Sequence, residues 1–384
     1  MRLLEQSIFW EVFFGRRCRR SDLVKSLQVS APTVSRSADA LIERGLLIET
    51  ASGAVRRGRR PALLSVNPQV GRFGGIEMDR NRVASAITDM GGNLLGRGTA
   101  ACNLAGPREA VIDACETTLR EALEDADLTP DDLHGIGIGC AAWARGETWR
   151  TSPLASVLER EFGKPVVVDD RARAAALGHH LLGPDYWTHG NAVYVYAGTG
   201  IGAGLFINGR LYRGFNLAAG EIGHIVIDRN GPLCSCGRRG CVEAFASIDA
   251  VLARFQGMAA SAAPSPVRSM ASITLDQLVD RARAAEPRAC RVLEEAAEAL
   301  ATGVANLVQI LNPSLVVFTG SFVHRAGPLL MEPVIRVLTT KLLPSTAKRL
   351  KICAAPFKKD IIPAGCALLG ACHIGPALIR ERLP

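Results

Sequence analysis

His224, Cys234, Cys236 and Cys241 fall within 18 residues, in the strings Gly220-Glu221-Ile222-Gly223-His224 and Cys234-Ser235-Cys236-Gly237-Arg238-Arg239-Gly240-Cys241. One imidazole and three thiolates are the ligand set of a closed tetrahedral zinc site. The Cys-x-Cys-Gly turn lets two sulfurs converge, and the glycines remove the Cβ that would obstruct a tight loop. Four protein ligands leave no place for an activated water, so the expected Zn2+ is structural rather than catalytic. The competing reading, reduced surface thiols beside a core histidine, leaves the spacing unexplained.

The elements that position such a loop need a chain of this size. Its 384 residues, 48% hydrophobic and 21% charged, have room for two or three globular domains. No apolar run reaches the roughly 20 residues expected of a membrane helix. Met1-Arg2-Leu3-Leu4-Glu5 does not open a signal peptide. The 11 cysteines then imply a reducing, cytoplasmic setting with metal ligands and buried thiols, and no membrane partner. Net charge is +8 and the pI about 9.1, which hints at a polyanionic partner. That charge gathers early, at Arg16, Arg17, Arg19, Arg20, Lys25, Arg36, Arg44, Arg56, Arg57, Arg59 and Arg60. A change of composition at Asn67-Pro68 divides the chain into domains 1–68 and 72–384.

In the first part, residues 4–14 have helical apolar spacing. Ser21 suits the N-cap of a helix over 22–27, and Gln28-Val29-Ser30 reads as a turn. A helix over 31–44 follows, with Pro32 in its first turn and Val34, Ala38, Leu41 and Ile42 inward. Its N-terminal face shows Thr33, Ser35 and Arg36, side chains fit to meet base edges and phosphates. Two strands, 46–49 and 62–66, then flank a Gly/Arg-rich tip carrying Arg56, Arg57, Arg59 and Arg60. Arginine's planar charged fork suits phosphate or minor-groove contact. The order of elements is that of a winged helix-turn-helix, and double-stranded DNA is the expected partner.

Strands at 74–77, 83–89, 133–139, 166–168 and 192–196 alternate with helices at 107–126 and 172–182, an α/β pattern. Gly198-Thr199-Gly200-Ile201-Gly202-Ala203-Gly204 reads as a Gly-rich turn, able to touch a phosphate or simply to join two strands. Further helices are expected over 276–285, 289–311 and 364–372, and residues 259–266 form a low-complexity loop.

Together these strings resemble the ROK family, which groups sugar kinases with sugar-responsive transcriptional repressors. The matching stretches are the Gly198–Gly204 segment, Asn216-Leu217-Ala218-Ala219-Gly220-Glu221-Ile222-Gly223-His224, the Cys-x-Cys-Gly-x-x-Gly-Cys run, and Glu243-Ala244-Phe245-Ala246-Ser247. The resemblance spans nearly the whole chain, including the N-terminal winged helix of the family's regulators. It implies a two-lobed actin/hexokinase-like domain of ribonuclease-H type with a sugar in the cleft. It also puts Glu221, His224 and Glu243 on positions that contact sugar hydroxyls, although the two glutamates could instead brace the zinc loop.

The resemblance breaks where phosphoryl transfer needs it. Kinase members have an Asp-x-Gly-Gly-Thr turn where this chain reads Glu77-Met78-Asp79-Arg80-Asn81. The family's Asn and catalytic Asp fall on Asp170 and Arg171, within Val168-Asp169-Asp170-Arg171-Ala172. A guanidinium cannot serve as the base. Phe322 is expected to obstruct the adenosine pocket. Arg171 implies either an acidic or phosphorylated sugar as effector or plain pairing with Asp169 or Asp170. The expected protein is a sugar-responsive DNA-binding regulator, a homodimer or homotetramer, without kinase activity.

Overall fold

A computed structural model describes residues 2–16, 18–51, 62–141, 153–257 and 273–383. The wing arginines Arg56, Arg57, Arg59 and Arg60 lie outside the described residues. The chain opens with α1 (Arg2–Gly15), α2 (Arg20–Leu27) and α3 (Ala31–Glu43), followed by the antiparallel pair β1 (Leu47–Ala51) and β2 (Ala62–Val66). Ser30, extended, precedes α3, and Pro32 occupies its first turn. Gly45, at φ +68°, lets the chain leave it. Val34, Ala38 and Leu41 of α3 are fully buried with Ile8, Phe9 and Val12 of α1, while Ile42 is partly buried. The cap of α2 differs from expectation. Arg19 is its boundary residue and donates its backbone N–H to the Asp22 carboxylate (3.0 Å), so Ser21 lies inside the first turn.

Two five-stranded sheets follow. The first comprises β3 (Arg72–Asp79), β4 (Arg82–Asp89), β5 (Leu94–Ala101), β6 (Gly135–Cys140) and β7 (Val166–Asp170), in the order β5-β4-β3-β6-β7. The second comprises β8 (Ala192–Ala197), β9 (Ile201–Ile207), β10 (Arg210–Tyr212), β11 (Leu315–Thr319) and β12 (Lys351–Ala354), in the order β10-β9-β8-β11-β12. Each sheet has three antiparallel strands and then two running parallel to the central one. The same order twice is the two-lobed actin/hexokinase-like architecture. The Gly198–Gly204 segment is therefore not one turn. Gly198, Thr199 and Gly200 make the hairpin tip, with Gly198 donating to the Gly200 carbonyl (3.0 Å), and the rest is β9.

Helices α4 (Arg108–Asp125) and α5 (Leu154–Phe162) serve the first lobe. Helix α6 (Arg171–Leu182) links the lobes. The second lobe carries α7 (Val242–Ala246), α8 (Ile248–Phe255), α9 (Leu275–Arg283), α10 (Pro287–Leu311), α11 (Ser321–Ala326), α12 (Pro328–Lys341) and α13 (Pro344–Ala347), and α14 (Ile361–Arg382) closes the chain. Helices α6 and α14 pack on each other, α6 against β8 and β9 and α14 against β3 and β6. Close approach requires glycine: a Cβ on Gly75 would lie 2.0 Å from the Pro363 carbonyl, and one on Gly137 1.9 Å from that of Cys366. Phe322, expected beside the adenosine pocket, is fully buried in the core of the second lobe. Its aromatic bulk is spent on packing.

The reading that no apolar run is long enough to cross a membrane needs correction. Helix α14 has 22 residues and a mean hydropathy of 1.6, sufficient by length and composition. The Gly and Pro residues within it disguised a continuous helix, and 61% of its most apolar stretch is inside the protein, as in a core helix.

The N-terminal helices share this core. Helix α1 packs on α14, where the Trp10 ring lies against Gly375. Arg210 of β10 pairs with Glu11 (2.9 Å) and lies over the Phe14 ring (4.8 Å), and the Arg16 guanidinium donates to the Gly91 carbonyl.

Candidate functional site

The cleft between the lobes is built from chain ends that converge. Ala141 follows β6, Asp170 and Arg171 stand at the β7–α6 junction, Tyr196 ends β8, and Gly200 to Gly202 open β9. Ala219, Gly220, Glu221, His224 and Glu243 complete a cavity of about 440 Å³ that is open to solvent. Five residues singled out in the sequence, Asp170, Arg171, Glu221, His224 and Glu243, thus line one space. The loop at Gly220 is locked, since its φ is +91° and a Cβ there would lie 1.9 Å from the Ala203 carbonyl.

Asp170 caps α6, accepting from the Ala172 backbone N–H (2.7 Å). Glu243 joins the cleft to the cysteine loop: one carboxylate oxygen accepts from Ile201 N–H (2.9 Å), the other from the Ser235 hydroxyl (3.3 Å). Its bracing function is therefore present in the geometry alongside its place in the cleft wall.

Arg171 is only 3% exposed and pairs with neither Asp169 nor Asp170. Its guanidinium is ion-paired with Asp79, lies over the Tyr196 ring at 4.6 Å, and is 3.5 Å from the Thr199 hydroxyl. Asp79 and Arg171, singled out separately in the sequence, are each other's partner. Burial pushes the Asp79 carboxyl up, but Arg171, the Arg80 backbone N–H and Arg82 together outweigh it and hold the group below the usual carboxylate range. Its fork being taken, Arg171 offers no ground for an acidic effector. Nothing local in the sequence announces a pair 92 positions apart.

Behind this pair sits a second one. Asp169, 1% exposed, is bound by Arg173 Nε (2.7 Å) and by the Arg213 guanidinium, while Arg173 also donates to the Ala219 carbonyl (2.9 Å). Arg80, next to Asp79, makes a two-pronged pair with Asp249 of α8 (2.5 Å through Nη1), tying the first lobe to the second.

Glu77 is fully enclosed beside these groups and bonds Arg82 (2.9 Å). Burial raises its carboxyl to about 7, against the pull of Arg82 and with help from Asp79. The folded chain thus binds more protons than the unfolded one between about pH 4.5 and 7. Stability should fall as pH rises through that window and level off above it. Each unit is worth about 1.4 kcal/mol, so the loss is on the order of 2–3 kcal/mol. Urea midpoints of the wild type and Glu77→Gln at pH 5 and pH 8 test this, and an equal pH response in both would refute it.

The ligand atoms of His224, Cys234, Cys236 and Cys241 all lie within 4.8 Å of one another. Cys234 Sγ is 3.5 Å from His224 Nδ1, and Cys236 Sγ is 3.7 Å from Cys241 Sγ. A tetrahedral ion at about 2.3 Å from sulfur and about 2.0–2.1 Å from nitrogen sets these edges at roughly 3.5 and 3.8 Å. Gly237 and Gly240 turn the loop at φ +88° and +70°. Burial raises the Cys236 thiol, but hydrogen bonds from Arg238, Cys234 and Cys241 bring it down to about 6, which favours the thiolate a metal requires.

On the N-terminal helices, Thr33 and Ser35 are half-buried and Arg36 is exposed. Thr33 shares a hydrogen bond with Ser30 (2.8 Å). Part of the early basic charge is consumed internally, Arg20 by Asp39 and Glu49 and Arg44 by the buried Glu5.

Two ribonuclease-H-type lobes around a carboxylate-lined cleft, with a Cys3His cluster at its wall, define a sugar-kinase-like body. The ROK family model matches residues 73–371, and the chain belongs to the ROK family. It is 30% identical to the xylose repressor of Caldicellulosiruptor bescii over 90% of either chain. It is 29% identical to the glucokinase of Thermotoga maritima, over 80% of this chain and 97% of that one. Among solved structures, a ROK family transcriptional regulator homologous to the E. coli MLC protein superposes with a TM-score of 0.68 at 25% identity, covering 95% of this chain and 94% of that one.

Proposed function

We propose that this protein is a sugar-responsive DNA-binding transcriptional repressor whose kinase-like body senses its ligand without phosphorylating it. The supporting observation is the extent of the likeness. The repressor is matched over 90% of both chains, whereas the glucokinase leaves about a fifth of this chain without a counterpart.

On this reading residues 1–68 are a winged helix-turn-helix, with Thr33, Ser35 and Arg36 facing the major groove and Arg56, Arg57, Arg59 and Arg60 in the wing. Residues 72–384 bind the effector and the second subunit. A homodimer or homotetramer supplies the paired reading heads that half-sites one helical turn apart require. His224, Cys234, Cys236 and Cys241 hold a structural Zn2+, which fixes the loop and supplies no chemistry. Asp170, Glu221, His224 and Glu243 receive sugar hydroxyls, with Arg171 at the cleft's end. Three carboxylates, against two guanidiniums (Arg171 and Arg173) already paired with Asp79 and Asp169, favour an uncharged sugar over an acidic one. No base stands at position 171, which argues against ATP-dependent phosphorylation.

The cleft has a physical connection to the DNA head. Arg213 and Arg173 tie the 213–221 loop to Asp169, beside Asp170. Three residues earlier on that segment, Arg210 grips α1 through Glu11 and Phe14. Helix α1 in turn holds α3, through packing and the Glu5–Arg44 pair (3.1 Å). A sugar that prefers one setting of the loop would move the reading helix.

The test is selection of duplexes from a randomised pool, followed by titration of the selected complex with neutral sugars. The expected result is a defined sequence released at least tenfold more readily by one sugar, with no ATP consumed. Failure to enrich any sequence, or steady sugar phosphorylation, would overturn the assignment.

A further inference from the structure

We infer that the Asp79–Arg171 pair is the element that sets sugar size, admitting a pentopyranose and rejecting the hexopyranose that differs from it only by an exocyclic hydroxymethyl arm. The inference rests on the sensor reading of the cleft and assigns one end of it.

A catalytic base must reach the hydroxyl it deprotonates, within about 2.6–3.2 Å. Whatever replaces the base in the same register therefore abuts the carbon bearing that hydroxyl. In glucose the hydroxymethyl arm carries the primary hydroxyl, and glucopyranose without that arm is xylopyranose. Arg171 stands in that register, and its side chain is several atoms longer than an aspartate's. It cannot swing aside, because Asp79, the Tyr196 ring and the Thr199 hydroxyl hold it from separate directions and it is 3% exposed. Asp79 is itself fixed by the Arg80 backbone N–H (2.9 Å). An arm entering here would displace part of this packed group, or bury its own hydroxyl beside donors already committed. The rest of the cleft wall, with Glu221 and Glu243, is open to ring hydroxyls.

The test is calorimetric titration of the full-length, zinc-loaded protein with matched pairs, xylose with glucose and L-arabinose with galactose, and with 6-deoxyglucose. The wild type should bind one pentose roughly 10- to 200-fold tighter than its hexose partner, the range a small added group commands in a fitted pocket. 6-Deoxyglucose should be rejected like glucose, because bulk is what the pair excludes. In Asp79→Asn/Arg171→Ser, which removes both charges together, the preference should shrink below about threefold through a gain of hexose affinity. If that variant does not fold, Arg171→Lys, shorter but still paired to Asp79, should lower the preference at least threefold. A wild type that binds both sugars of a pair equally, or a preference untouched in the variants, overturns the inference and leaves the sensor reading standing. A wild type that binds no sugar in the panel removes both.

Discussion

Cys241→Ser lowers the melting temperature of the full chain by about 10 °C, and the same fall follows chelation of the wild type. The start of the loop is held on the second lobe by Ile225 and Ile227. Its tip has a separate apolar cluster of Cys234, Cys241 and Ala244, with Cys236 against them, so there the buried surface is largely that of the ligands. A few backbone bonds close it, among them Ile227 to Gly240 (2.8 Å) and Cys234 to Arg238 (2.8 Å). Removing a metal from such a loop leaves three thiols within 4.8 Å of one another whose thiolates repel, an effect that Arg238 beside Cys236 and a protonated His224 offset in part. A fall of about 10 °C at this size corresponds to a loss of about 8 kcal/mol, below the roughly 10–16 kcal/mol that a structural zinc supplies. The damage should reach the cleft, because Glu243 bonds both Ser235 and Ile201. Sugar affinity should fall at least tenfold while duplex affinity, carried by α3, stays within about twofold. Melting curves with and without chelator, beside a metal count of one zinc per chain, decide it. Equal curves in protein that carries no zinc would sink the assignment.

How much of this was legible in the sequence depended on distance along the chain. The cysteine loop is local, and its ligand types and spacing are enough. The helix over 31–44 was readable because Ser30, Pro32 and Gly45 punctuate it and its apolar period is regular. The cap of α2 was misplaced because Asp22 reaches back to the Arg19 N–H, a bond that Ser21 appeared equally able to make. Helix α14 was read too short at its end, since Gly375-Pro376 looks like a break. Only the fold shows what its glycines do, which is to lay the helix on Gly75 and Gly137 of the sheet. The resemblance located Arg171 and Asp79 as separate departures. Their union needed the β3 end and the start of α6 to meet, and the expected partners, Asp169 and Asp170, point elsewhere: one to Arg173 and Arg213, the other to the helix cap. Sequence proximity was a poor guide to charge pairing here, because a β-strand directs successive side chains to opposite faces.

Arg210→Ala separates sensing from response. Arg210 and Glu11 are both partly exposed, so their pair contributes at most about 1 kcal/mol to stability, and the Phe14 contact adds a similar amount. The variant should therefore fold, bind sugar and bind the selected duplex, each within about twofold of wild type. What it lacks is the grip between β10 and α1. Arg213 still senses Asp169, but displacement of the 213–221 loop no longer pulls α1 or, through Glu5 and Arg44, the reading helix. Allosteric coupling of 1–3 kcal/mol corresponds to roughly 5- to 150-fold in affinity. The expected loss is most of that factor, leaving less than about threefold release by saturating sugar. Glu11→Ala, which leaves the Phe14 contact, should reproduce part of the loss, and the double variant should be no worse than Arg210→Ala, which already removes both contacts. Fluorescence anisotropy of the duplex complex, with and without sugar, measures all four proteins. Full sugar-driven release in Arg210→Ala would show that the signal travels by another path, with the α1–α14 packing next to be cut.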